Sequence, residues 1–96
     1  MTKEDIKRLL RQHRDILTRH KVKSMALFGS YARNEQREDS DVDFLVEFQE
    51  DTYDNFIHLI FALEDLLKKE VIVVSEEDLS PYIRPYVLKE IEKIEG

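Results

Sequence analysis

The chain has no cysteine, which excludes a disulfide framework and any thiolate metal site. It has no apolar run approaching the roughly 18 residues that a membrane-spanning helix needs. No signal-peptide pattern opens it, so the expectation is a cytoplasmic protein with no membrane partner. Basic residues are in deficit: 15 Lys and Arg stand against 21 Asp and Glu, a formal net charge of −6. Proteins that bind nucleic acid through its phosphates present basic surface. The balance therefore argues against direct DNA or RNA binding as the main role. Glycine and proline are scarce, with two of each. The positions of Gly29, Pro81 and Pro85 therefore carry information.

What is present is a densely charged chain of 96 residues, 42% hydrophobic and 38% charged. That suits one soluble domain over residues 1–96 with a single modest core. Thr2 can cap a helix whose first turn carries Glu4 and Asp5. Ile6, Leu9, Leu10, His13, Ile16 and Leu17 keep helical spacing, which predicts one helix over about 3–19. His13 falls on the apolar stripe and reads as a packed or boundary residue rather than a ligand. The basic residues from Lys3 to Lys23 read as a solvated face, or as a contact for an acidic partner or for phosphates. A short, nearly continuous apolar strand follows at 23–28, then a short helix from Ser30 to about Glu35 and a surface loop. A second strand is expected over 41–48, a helix over 54–69 and a third strand over 70–75. Phe56, Ile57, Ile60, Leu63, Leu66 and Leu67 form that helix's buried face. A last helix should begin near Pro85 and turn Val87, Leu88, Ile91 and Ile94 inward. The order is αβαβαβα, a mixed α/β (α+β) layer of three or four strands with helices packed on it.

The chemistry concentrates between residues 29 and 43. Gly29 closes the first strand, can adopt a conformation closed to other residues, and lets a ligand approach the main chain. Ser30 adds a hydroxyl and an N–H suited to a phosphate oxygen. Asp41 and Asp43 open the second strand and share a face, about 6.5 Å apart along the chain. Two such carboxylates repel unless a cation lies between them, and hard oxygen ligands suit Mg²⁺ with substrate phosphates. Arg33 either braces these acids or is exposed.

Gly29-Ser30, ten residues, then Asp41-Val42-Asp43 resembles the signature of the DNA polymerase beta-like nucleotidyltransferases. The wording from Gly29-Ser30-Tyr31-Ala32-Arg33 to Asp43-Phe44-Leu45-Val46 resembles their minimal nucleotidyltransferase branch. These are antitoxins of the MntA type, encoded beside HEPN-domain toxins. The likeness spans nearly the whole chain, including the tail Ser80-Pro81-Tyr82-Ile83-Arg84-Pro85. It implies a polymerase beta-like fold, ATP as substrate, and a two-metal Mg²⁺ site on the catalytic carboxylates Asp41 and Asp43. Gly29 and Ser30 would bind nucleotide. The product would be AMP on a hydroxyl, a tyrosine, of a HEPN ribonuclease toxin, in a hetero-oligomer with it.

One departure bears on activity. The family's third carboxylate sits in a strand reading like Val-Asp-Leu-Val-Thr. Here that strand is Val71-Ile72-Val73-Val74-Ser75, and Ile72 stands where the Asp is expected. Glu70 could substitute only with a shift of register or metal. Three readings therefore remain: an active protein adenylyltransferase, a degenerate member that neutralises its partner by binding alone, and a transferase acting on a small-molecule hydroxyl.

Overall fold

The first turn is fixed by a reciprocal cap. In the computed structural model, which describes residues 1–95, Thr2 Oγ1 accepts the Asp5 N–H at 3.3 Å and Asp5 accepts the Thr2 N–H at 3.0 Å. Both orphan donors of the helix start are thereby satisfied. The helix it opens, α1 (Lys3–Gln12), buries Ile6 and Leu10. The expected single helix is broken at His13, and α2 (Arg14–Arg19) continues it with Leu17 buried. At the break His13 takes φ −121 and ψ 44, outside helical values. The kink carries the imidazole from the apolar stripe into solvent, where His13 is exposed and not packed. A buried imidazole without a partner would cost free energy.

Strand β1 (Val22–Phe28) runs into the one-turn α3 (Gly29–Ala32), and Asn34, at φ 58, helps turn the chain away. Asn is among the few residues that tolerate that conformation. After the loop come β2 (Val42–Phe48), α4 (Tyr53–Leu67) and β3 (Val71–Ser75). Helix α4 starts on Thr52, whose hydroxyl accepts the Asn55 N–H at 3.1 Å, and stops at Lys68 in the left-handed conformation. Leu59, Leu63 and Leu67 are its buried centre, with Phe56, Ile60 and Leu66 packed at the margin. A 3₁₀ turn (Glu76–Asp78), α5 (Arg84–Glu90) and β4 (Glu92–Glu95) complete the chain.

The strand order is β3-β2-β1-β4. β1 is antiparallel to both β2 and β4, and β2 is parallel to β3 across the α4 crossover. The mixed four-stranded sheet matches the expected architecture, but the C-terminal helix is corrected. It ends at Glu90, Leu88 is exposed, and Ile94 is buried on a fourth strand rather than on a helix. The strand forms because β1 offers a free edge there. Lys3 and Lys7 of α1 then fasten it through Glu92, at 3.0 and 3.3 Å.

One face of the sheet carries the core. Met25, Leu27, Val42, Phe44, Val46, Val71, Val73 and Ile94 meet Ile6, Leu10, Leu17, Leu59 and Leu63 from α1, α2 and α4. Side chains alternate along a strand, so the residues between them face the other way. Asp43, Leu45 and Glu47 therefore share the opposite face with Ala26, Phe28 and Ile72. The 3₁₀ turn and the end of α5 border this second face, where Glu76, Leu88 and Ile91 line a cavity with Ala26 and Leu45, and no residue of α5 is buried.

Candidate active site

The turn from β1 into α3 and the start of β2 meet on that second face. Gly29 adopts φ +74, a conformation that other L-residues adopt only under strain. A Cβ built there would run into Asp43 Oδ2 and lie 3.1 Å from its Cγ. The absence of a side chain is thus what lets the turn press against the carboxylate. Phe28 lies opposite Asp43 in the antiparallel β1–β2 register, which sets the two segments side by side.

Asp43 holds its proton more strongly than an isolated aspartate. Burial is the main cause, the charge of Asp41 adds to it, Arg33 opposes it, and Glu90 adds further. Asp41 is near enough for its charge to act on Asp43. Asp41 itself lies one residue before β2 rather than within it. It borders an open cleft with Asp39, Ser40, Lys68, Lys69 and Glu70. Glu70 also precedes its strand, and its carbonyl accepts the Val42 N–H at 3.0 Å. It is not the strand-face residue that the sequence suggested.

Ser30 is held in α3, where its carbonyl accepts the Glu35 N–H at 2.8 Å. Tyr31 and Ala32 are buried, as expected for packing residues at this junction. Arg33 points its guanidinium at acidic side chains other than the Asp41–Asp43 pair: Nη1 donates to both Glu90 oxygens at 3.1 Å and Nε donates to Glu35 at 3.2 Å. Those carboxylates hold the arginine firmly protonated. Glu90 Oε1 also accepts the Gly29 N–H at 3.4 Å. Glu90 is a site residue that the sequence did not point to. It lies 61 positions from Gly29, and no local motif marks it.

Ile72 is the register partner of Asp43 in the parallel β2–β3 pair and is 44% exposed. Ile72 is thus the β3 residue directly across from Asp43. Among the described residues, no three His, Cys, Asp or Glu side chains gather closely enough to hold a metal ion.

A glycine turn against paired acids on the open face of a small mixed sheet defines a nucleotidyltransferase scaffold. The Nucleotidyltransferase domain family matches residues 10–94, and the chain belongs to that family. A relative from Methanocaldococcus jannaschii, provisionally named a protein adenylyltransferase, is 46% identical over 96 residues, covering 96% of this chain and 93% of its own. Protein adenylyltransferase MntA of Thermococcus cleftensis is 40% identical over 93 residues, covering 95% and 94%. A solved structure provisionally described as a minimal nucleotidyltransferase superposes with a TM-score of 0.83 at 40% identity, covering 96% of this chain and 95% of that one. The fold is also shared with the complex of a tri-AMPylated HEPN toxin of Shewanella oneidensis and MNT antitoxin. That likeness has a TM-score of 0.67 at 20% identity, covering 92% of this chain and 70% of that one.

Proposed function

We propose that this chain is a MntA-type antitoxin that transfers AMP from MgATP to a tyrosine hydroxyl of a HEPN-domain toxin. The observation that carries the reading is the Gly29–Asp43 contact: a turn without a Cβ, pressed against a carboxylate that Asp41 already crowds. The pair fits Mg²⁺, which takes one or two protein carboxylates and completes its shell with waters and substrate phosphates. Asp41 and Asp43 would hold the metal, and the Gly29 backbone with Ser30 would hold the β- and γ-phosphates. When bound, Mg²⁺ supplies positive charge against the triphosphate and the departing pyrophosphate.

In the reaction the acceptor oxygen attacks the α-phosphorus. The bond from that phosphorus to the bridging oxygen breaks, and pyrophosphate carries away the bonding pair. The acceptor's proton passes to solvent water, because Asp41 and Asp43 are the carboxylates taken up by the metal. The second sheet face is open beside Asp43, where Ile72 is half exposed. It leaves the hydroxyl to be presented by a partner protein rather than enclosed by this chain.

Ile72 favours a second reading, in which the chain neutralises its partner by binding alone. An isoleucine beside Asp43 can neither bind metal nor accept a proton. One experiment separates the two readings. The chain is incubated with MgATP and a HEPN-domain toxin, and the toxin is weighed by mass spectrometry. Addition of AMP to a tyrosine is the expected result. A stable complex with no added mass leaves the binding reading, and no complex at all removes both.

A further inference from the structure

Glu90 lies where the proposed triphosphate site has its donors. Its Oε1 accepts from the Gly29 N–H at 3.4 Å, and Arg33 Nη1 donates to Oε1 and Oε2, each at 3.1 Å. These are the groups on this chain suited to a phosphate oxygen: a backbone amide exposed by a missing Cβ, and a guanidinium. A carboxylate offers them the same anionic oxygens that a phosphate would.

We propose that Glu90 is a resident stand-in for phosphate, so that MgATP binds only as this side chain leaves the Gly29 turn. The inference rests on the nucleotide-binding role proposed above for Gly29. It names a competitor built into the same chain. The element carrying Glu90 is suited to give way. Helix α5 has no buried residue, and a cavity of about 220 Å³, lined in part by Ala26, Leu45, Leu88 and Ile91, lies against it. Beyond Glu90 the backbone is already extended at Ile91, with φ −67 and ψ 146. The next residue, Glu92, is pinned by Lys3 and Lys7. The movement is therefore confined to α5 and the Glu90 side chain, with β4 left in the sheet. Arg33 exchanges one anion for another and stays paired.

The test is calorimetric titration of MgATP, and separately of magnesium pyrophosphate, into the parent, Glu90→Gln and Glu90→Ala. Asp15→Asn serves as a control, because it removes the same charge from an exposed pair with Arg19 on α2. Glu90→Ala should bind both ligands roughly fivefold more tightly, the scale of losing one partly exposed ion pair. Glu90→Gln should fall between it and the parent, and the control should match the parent. A second readout is the Gly29 amide resonance, easily found in a chain with two glycines. It should move on Glu90→Gln without ligand, and in the parent it should move again as MgATP saturates. Equal affinity in parent and Glu90→Ala overturns the inference alone. Weaker binding by Glu90→Ala also overturns it and makes Glu90 part of the binding site. If neither protein binds either ligand while both stay folded, the nucleotide-binding reading of Gly29 falls, and this inference with it.

Discussion

Replacing Ile72 by aspartate would place a carboxylate directly beside Asp43, and its cost can be worked from the structure. Ile72 is 44% exposed on an edge strand. About half of a buried isoleucine's transfer free energy is at stake, roughly 1 kcal/mol. Aspartate is a poor strand former, which costs up to about 1 kcal/mol more. Like charges directly opposite across a sheet add roughly 0.2–1 kcal/mol. A loss near 2 kcal/mol should lower the melting temperature of a domain this size by about 8–16 °C in metal-free buffer. Mg²⁺ at ten times its dissociation constant returns about 1.4 kcal/mol to a variant that binds it. Thermal melts of Ile72→Asp with and without Mg²⁺ should therefore differ by about 6–11 °C. The parent, with two carboxylates, should respond less, and Ile72→Asn, polar but uncharged, should respond like the parent. Transfer of AMP to the HEPN partner should rise, since a well-placed base or metal-positioning group is typically worth about 10²–10⁴ in rate. If Ile72→Asp melts at the same temperature with and without Mg²⁺, or stays unfolded at high Mg²⁺, then position 72 does not face a metal site.

Asp43→Asn and Asp41→Asn should each abolish Mg²⁺-dependent ATP binding in a calorimetric titration. Unchanged affinity in both would remove the pair from the site. In metal-free buffer Asp43→Asn should be more stable than the parent at neutral pH. Asp43's folded proton affinity is raised, so the parent loses stability as pH climbs from the unfolded value of about 3.8 through the folded one. The variant's advantage should therefore shrink on acidification and vanish below that window, as read from melts across pH. Gly29→Val forces a β-branched residue to φ +74 against Asp43. It should cost about 2 kcal/mol or more and lose MgATP binding. A melt and a titration within error of the parent would reduce this turn to a connection. Glu92→Gln should weaken the hold of α1 on β4 by about 0.5–1 kcal/mol at neutral pH. Hydrogen bonds from Lys3 and Lys7 depress its proton affinity. The parent's advantage should therefore be present above about pH 4.5 and fade as acid protonates Glu92; an advantage independent of pH would refute the ion pair.

Features with local causes could be read from the residues alone. Thr2 with Asp5 started the first helix, apolar runs marked β1, β2 and β3, and Leu63 and Leu67 fell on the predicted buried face of α4. Gly29, Ser30, Asp41 and Asp43 stood out as candidates because a turn and the strand that follows it place them within fifteen residues. Ile72 was placed on the third strand by its apolar run, and the parallel register sets it beside Asp43. The remaining features depend on contacts between segments far apart in the chain. His13 fits a continuous helical stripe, but the chain breaks there and turns it to solvent. Ile94 fits a terminal helix as well as it fits a strand. The free edge of β1 and the lysines of α1 settled the choice, and neither is visible from residues 92–95. Glu90 reaches the Gly29 turn only because β4 closes the sheet and carries the end of α5 back over the open face. Helical and strand preferences act over a few residues. Which carboxylate meets which amide across 61 positions depends on how the assembled sheet folds the chain back on itself.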